Sequence, residues 1–332
     1  MGARIPGRQT RRSVLTLSAG AVASVLSGSR LRAADYPQKP IRFVVPFTPG
    51  GGADVLARIA GQFASTRLGQ QIYIDNRPGA GGNISAEIVA KASADGYTLL
   101  EGNLAHAVAM SMYRNVRYDI EKDFVPVVAL GSVPFVLAVP PNLPVKTVQD
   151  FLALARTKPG ALNYASSGVG GPSHLAMELL ISLTGVKLTH IPYKGAAPAT
   201  EDLMTGRVQA SFLTTPASVS LMQSGHIRGL ALSAAHRLAT LPDLPTIAES
   251  GVTDYDATTW FGVVAPRGTP DEIVQTLNKA FGAAVQDEGV RKRLQTEGFE
   301  MMGGTPQDFA AFVHAQTAKW RAIVKQAGIA ID

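Results

Sequence analysis

From residue 41 onward the chain alternates between short apolar runs and longer stretches whose apolar residues fall three or four apart. Ile41-Arg42-Phe43-Val44-Val45 reads as a buried strand. After a glycine-rich turn, Val55, Ile59 and Phe63 recur at four-residue spacing, one face of a helix. The unit then repeats. A strand is predicted over 71–75, a helix carrying Ile84, Ile88 and Val89 follows another glycine-rich turn, and 97–100 is a third strand. The stretch 135–139 is an unusually apolar strand closed by Pro140-Pro141. Thr147 is positioned to cap a helix over 148–156, which Lys158-Pro159-Gly160 ends. A second series opens with a strand at 162–165 and a third glycine-rich turn. It continues with a helix carrying Leu175, Leu179 and Leu183, then strands over 187–192, 208–213 and 226–233. A late strand at 260–265 and two amphipathic helices, 271–287 and 306–326, finish the pattern. Strands alternating with helices predict an α/β fold with a mostly parallel sheet. The chain divides into two βα modules, with no solenoid-length repeat and no long Pro/Ser linker between them.

The first 34 residues depart from this pattern. They hold Arg4, Arg8, Arg11, Arg12, Arg30 and Arg32 and no acidic residue, around an uncharged stretch of 17 residues from Ser13 to Ser29. A basic head, a short apolar middle and small residues at the end make an export signal. The middle falls short of the roughly 20 apolar residues that span a bilayer. Thr10-Arg11-Arg12-Ser13-Val14-Leu15 also fits a twin-arginine signal, and the general secretion route accommodates the same head. Residues 1–34 are therefore expected to be a cleaved signal, with the mature chain starting near Ala34 or Asp35 in the periplasm. Of 31 basic residues, 25 remain beyond the leader, against 25 acidic ones. The mature protein is then near neutral, with no broad basic field for nucleic acid or anionic lipid. No cysteine occurs, which excludes disulfides, thiolate metal sites and cysteine nucleophiles.

Three glycine-rich turns carry the candidate chemistry. They are the segments 46–54, with Phe47, Thr48, Gly50, Gly51, Ala53 and Asp54; 77–83; and 166–174, with Ser166, Gly168, Gly170, Ser173 and His174. Each follows a strand and opens a helix. Glycine lets backbone approach a ligand closely, and the unpaired N–H groups at a helix start suit an anion without any lysine or arginine. The first and third turns, one in each module, are expected to share a ligand, because ligands of open α/β sheets sit beyond the carboxyl ends of strands. The second reads as a tight βα turn. Nucleotide fingerprints fail: no turn ends in Gly-Lys-Ser/Thr, and after Gly168-Val169-Gly170 and Gly79-Ala80-Gly81 the third glycine position holds Ser173 and Ile84 rather than Gly or Ala. Catalytic patterns are thin. His106, His174, His190, His226, His236 and His314 are scattered without metal-ligand spacing, and no Gly-x-Ser-x-Gly elbow occurs. No catalytic residue, metal or cofactor is expected.

The ordered series of motifs resembles the extracytoplasmic receptors of tripartite tricarboxylate transporters, the Bug receptors. It comprises Tyr36-Pro37 through Pro40-Ile41, Val45-Pro46-Phe47-Thr48-Pro49-Gly50-Gly51, Asn76-Arg77-Pro78-Gly79-Ala80-Gly81-Gly82, Pro192-Tyr193-Lys194-Gly195, Leu244-Pro245-Thr246-Ile247-Ala248-Glu249-Ser250-Gly251, and Trp260-Phe261-Gly262 with Ala265-Pro266. The resemblance implies a periplasmic binding protein of type II-like, two-lobe α/β architecture, with two crossing strands and a ligand cleft between the lobes. Residues 35–131 with 255–332 would form lobe 1 and 132–254 lobe 2, the chain crossing near 133–138 and returning near 260–264. By the same analogy the turn at 47–54 holds one end of a small carboxylate and the turn at 166–174 the other, with Phe47 as a wall and Tyr193, Lys194 and Gly195 as secondary contacts. The implied partners are the large and small membrane subunits of a tripartite transporter, the receptor itself being a monomer. A sensor presenting the carboxylate to a signalling kinase and an exported hydrolase are the alternatives. One departure bears on the ligand. Where many relatives read Phe-Asp near Phe212, this chain reads Leu213-Thr214-Thr215, which disfavours ligands with an amine.

Overall fold

The computed structural model describes residues 1–3 and 36–326. The predicted export signal, apart from its first three residues, lies outside the described residues. Strand β1 (Ile41–Val45) is central to a parallel trio, flanked by β2 (Ile72–Asn76) and β3 (Thr98–Asn103). Helix α1 (Gly52–Leu68) joins β1 to β2. A 3-10 turn at Ala80–Gly82 and helix α2 (Asn83–Ala90) join β2 to β3. Helix α3 (Leu104–Met112) follows β3 directly.

The chain then enters β4 (Phe124–Val139), 16 residues long. Its first part pairs antiparallel with β9 (Thr258–Pro266), which in turn pairs antiparallel with β3. Its last part pairs antiparallel with β7 (Ala210–Thr214) and β8 (Arg228–Leu232). Beyond β7 lie β5 (Asn163–Ser166) and β6 (Thr189–Pro192), both in parallel register. The strand order is β2-β1-β3-β9-β4-β7-β5-β6. The sheet is thus parallel on each flank, as the alternation predicts, and antiparallel where β4 and β9 cross the middle. The expected crossing segments, 133–138 and 260–264, fall inside these two strands.

Helices α4 (Val148–Thr157), α5 (Pro172–Thr184), α6 (Ala196–Met204) and α7 (Thr215–Gln223) pack on the second flank. Near the end of the chain, α8 (Asp271–Gln286), α9 (Glu288–Thr296), strand β10 (Glu300–Gly303) and α10 (Pro306–Gln326) return to the first. The segment predicted to close with two helices holds three and a strand. The Asp287 carboxylate accepts from the N–H of Val290, so it ends α8 and starts α9 within one residue. Apolar burial fixes the layers. Phe43 of β1 meets Phe281 of α8 edge to face at 5.6 Å, and Trp260 of β9 meets Phe309 of α10 at 5.7 Å. Such aromatic pairs add about 0.5–1.5 kcal/mol each beyond the area they bury. Among the described residues no helix is long and apolar enough to cross a membrane.

Candidate ligand site

Four helices open onto one small cavity. Gly51, Gly52 and Ala53 bring the start of α1 to it, Pro172 and Ser173 that of α5, Ala196 that of α6 and Thr214 that of α7. None of these four helices has a side chain capping its first turn. By contrast α3, α4 and α9, which open elsewhere, are capped by Asn103, Thr147 and Asp287. Helices α2 and α8 also lack such a cap, and start at Gly82 and Pro270 outside the cavity. The leading N–H groups of a helix have no partner within it and lie at its positive end. Four such ends open on this one cavity, an arrangement that can receive an anion, and no ionisable side chain lines it.

The rest of the wall is Phe47, Thr48, Phe135, Ser167, Thr259 and Phe261. Three phenyl rings give it an apolar body. The Thr48 and Thr259 hydroxyls are buried and make no hydrogen bond. A buried hydroxyl left unpaired costs about 1–3 kcal/mol, so both stand ready to donate to an acceptor in the cavity. The volume is about 50 Å³, room for a few waters. A ligand of several atoms needs more room than this. A larger groove of about 580 Å³ runs beside Leu238–Thr240, but its polar lining includes the charged Arg291, Lys292 and Glu300, and no helix start opens onto it.

Residues behind the wall hold the turns in shape. Asp54 is buried and accepts from the N–H of Gly50, from Asn76 Nδ2 and from Arg58. Burial alone would raise its pKa. The hydrogen bonds from Arg58, Gly50 and Asn76 outweigh that and hold the carboxyl below the ordinary aspartate range. Asn76 also donates to the Phe47 carbonyl at 2.9 Å, which ties the first turn to β2. In the third turn, Ser173 Oγ accepts from the Ser167 N–H at 3.0 Å, and His174 Nδ1 accepts from the Gly170 N–H at 3.1 Å. Ser173 and His174 thus each serve the turn and form no nucleophile–base pair. Ser166 Oγ lies 2.6 Å from His190 Nε2, and the His190 ring stacks on His174 at 4.2 Å and on Tyr164 at 4.7 Å. Burial, then the neighbouring His174, lowers the His190 pKa to about 4.

Of the residues singled out in the sequence, Phe47, Thr48, Gly51, Ala53 and Ser173 line the cavity. Gly50, Asp54, Ser166, Gly168, Gly170 and His174 do not; they shape the two turns. Gly195 precedes α6 and packs against Thr48. The Tyr193 hydroxyl donates to Asp202 and Lys194 is exposed, so neither side chain is part of the wall. Phe135 and Phe261 are wall residues that the sequence reading passed over as strand, and Thr259 lies just before the strand predicted at 260–265. Both faces of β9 are buried, so no polar alternation separates the cavity-facing Thr259 and Phe261 from Trp260 on the other face.

The family model for the tripartite tricarboxylate transporter family receptor matches residues 56–329. This chain belongs to that family of solute-binding receptors. Rpa4515 of R. palustris, solved with adipate, is 44% identical; the match covers 89% of this chain and 99% of that one, with a TM-score of 0.86. The periplasmic binding protein BugD is 32% identical over 89% of this chain and 99% of its own, also with a TM-score of 0.86. MatC from Rhodopseudomonas palustris, solved with bound malate, is 33% identical over 87% and 100%, with a TM-score of 0.84. The chain therefore has the α/β fold of these periplasmic binding proteins, as its motifs imply.

Proposed function

We propose that this receptor captures a small carboxylate in the cavity between two lobes, residues 35–131 with 255–332 and residues 132–254, and delivers it unchanged to the large and small membrane subunits of a tripartite transporter. The observation that carries this reading is the convergence of four uncapped helix starts on a cavity without ionisable walls. Such a site pairs a carboxylate with oriented N–H groups, and the phenyl walls exclude water and strengthen those bonds. That Rpa4515 was solved with adipate and MatC with malate supports a ligand of this class. Thr214, at the start of α7, brings no negative charge to the wall, which favours acids without an amine.

The mature chain works as a monomer in the periplasm after the export signal is removed, the compartment of the relative BugD. No step in this cycle makes or breaks a bond in the ligand. The test is the fate of the bound compound. The exported protein, purified without refolding and then denatured, should release a carboxylate that mass spectrometry identifies. The same compound added back should bind and be recovered intact. Recovery of a cleaved or modified product would overturn the reading.

A further inference from the structure

The second glycine-rich turn, at 77–83, adds no residue to the cavity wall, yet it is pressed against the turn that does. The residue that joins them is Tyr113, the first beyond α3. Its hydroxyl donates to the Val169 carbonyl at 2.5 Å and lies 3.3 Å from the Ala80 carbonyl. Val169 sits within the 166–174 turn, between the wall residues Ser167 and Pro172. The fit leaves no space. A Cβ on Gly81 would stand 2.3 Å from the Val169 oxygen, and one on Gly170 would stand 2.6 Å from the Tyr113 hydroxyl and 2.8 Å from its ring. Both glycines have positive φ, at 65° and 70°, so a side chain would be strained there as well as crowded. Burial raises the Tyr113 pKa to about 12, which keeps the donor proton in place throughout the neutral range.

We infer that Tyr113 and the 77–83 turn form a latch that holds the receptor closed and fixes the 166–174 turn against its ligand, Tyr113 acting as a positioning residue without touching the ligand. This rests on the two-lobe reading above, in which Tyr113 and Ala80 belong to one lobe and Val169 to the other. The latch explains why a turn that contributes nothing to the wall is as rich in glycine as the two that do. It closes by a single directed hydrogen bond and a shape match, and it opens without exposing a charge.

The protein has no cysteine, so cysteines introduced at exposed Gln62 of α1 and Glu201 of α6 carry a donor and acceptor dye on the two lobes alone. Single-molecule energy transfer then counts closed and open molecules, without ligand and with adipate or malate. Tyr113→Phe keeps the ring and removes only the hydroxyl. It should lower the closed-to-open ratio roughly three- to tenfold, the range of one ordinary hydrogen bond, and speed ligand release by a similar factor. Any fall in the melting temperature of the ligand-free protein should be no larger than the lost closed population accounts for, whereas a merely structural tyrosine would lower stability and leave the closed-to-open ratio unchanged. An unchanged ratio in Tyr113→Phe, or a wild-type protein that never closes, would overturn the latch. A wild-type protein that closes but binds neither acid would count against the proposed ligand class, and the ligand-free ratio would still judge Tyr113.

Discussion

Gly195 stands directly against Thr48: a Cβ on the glycine would lie 2.2 Å from the threonine Oγ1. The two residues come from the Pro192-Tyr193-Lys194-Gly195 motif and the first glycine-rich turn, 147 positions apart in sequence. Their contact brings the start of α6 up to the cavity beside α1. Gly195→Ala should therefore prevent the walls from meeting. Its φ of 137° adds about 1–3 kcal/mol of backbone strain. Calorimetric titration should show carboxylate affinity reduced at least about tenfold, with a lower melting temperature. A variant that binds as tightly as the parent would show that this contact has no part in closure.

Ser173 lines the cavity from the start of α5. Its Oγ accepts from the Ser167 N–H and lies 3.1 Å from Ser167 Oγ, and its own N–H is among the first of α5. Ser173→Val removes the acceptor and pushes a methyl into the wall. The fold should survive with a stability loss of about 1 kcal/mol, while ligand affinity falls roughly tenfold or more. Equal affinity by titration would remove the α5 turn from the binding site.

Much of this was legible in the sequence, and what was hidden has physical reasons. The first and third glycine-rich turns announced the starts of α1 and α5, because glycines between an apolar strand and an apolar helix face have few other uses. The length of β4 was not visible. Pro126, Gly131 and Pro134 interrupt its apolar run, and only 135–139 stood out. Helix α7, Thr-Pro-Ala-Ser-Val-Ser-Leu-Met-Gln, is too weakly patterned to recognise, although its start forms part of the wall. The Tyr113 contact was invisible in the sequence, since its partner Val169 lies 56 positions away and contributes only a backbone carbonyl.

Glu101 of β3 is fully buried, and neither carboxyl oxygen has a hydrogen-bond partner. Burial, reinforced by the nearby Asp54, raises its pKa well above the ordinary glutamate value. A carboxyl with a raised folded-state pKa stabilises the fold fully below its unfolded pKa. That contribution is lost as pH rises toward the folded value. Glu101→Met should stabilise the protein by about 1–3 kcal/mol at neutral pH, with a larger gain at pH 8 than at pH 5. Denaturant unfolding at both values checks the sign. A gain larger at pH 5 would contradict it.

His190 and His106 act in the opposite direction. Burial lowers both to about 4, with His174 adding to the effect at His190. The unfolded chain takes up these protons near pH 6.5 and the folded chain only near pH 4, so stability is lost as pH falls through that window. Each histidine contributes up to about 3 kcal/mol by this linkage. His190→Gln, whose amide can still reach Ser166, should flatten the fall in urea-unfolding free energy between pH 6.5 and 4.5. An unchanged slope would place the His190 pKa near its ordinary value.

The most direct measurement is a thermal-shift titration of residues 35–332 with adipate, malate and a panel of other small acids, alongside amine-bearing analogues. At about 100 times its dissociation constant a bound ligand adds roughly 2.7 kcal/mol of stability, a rise of several degrees. The account predicts such a rise for at least one amine-free carboxylate, roughly halved or less in Ser173→Val at the same ligand concentration and weaker with the corresponding amino acid. A folded, ligand-free protein that responds to no carboxylate, or that responds first to an amine or a nucleotide, would contradict it.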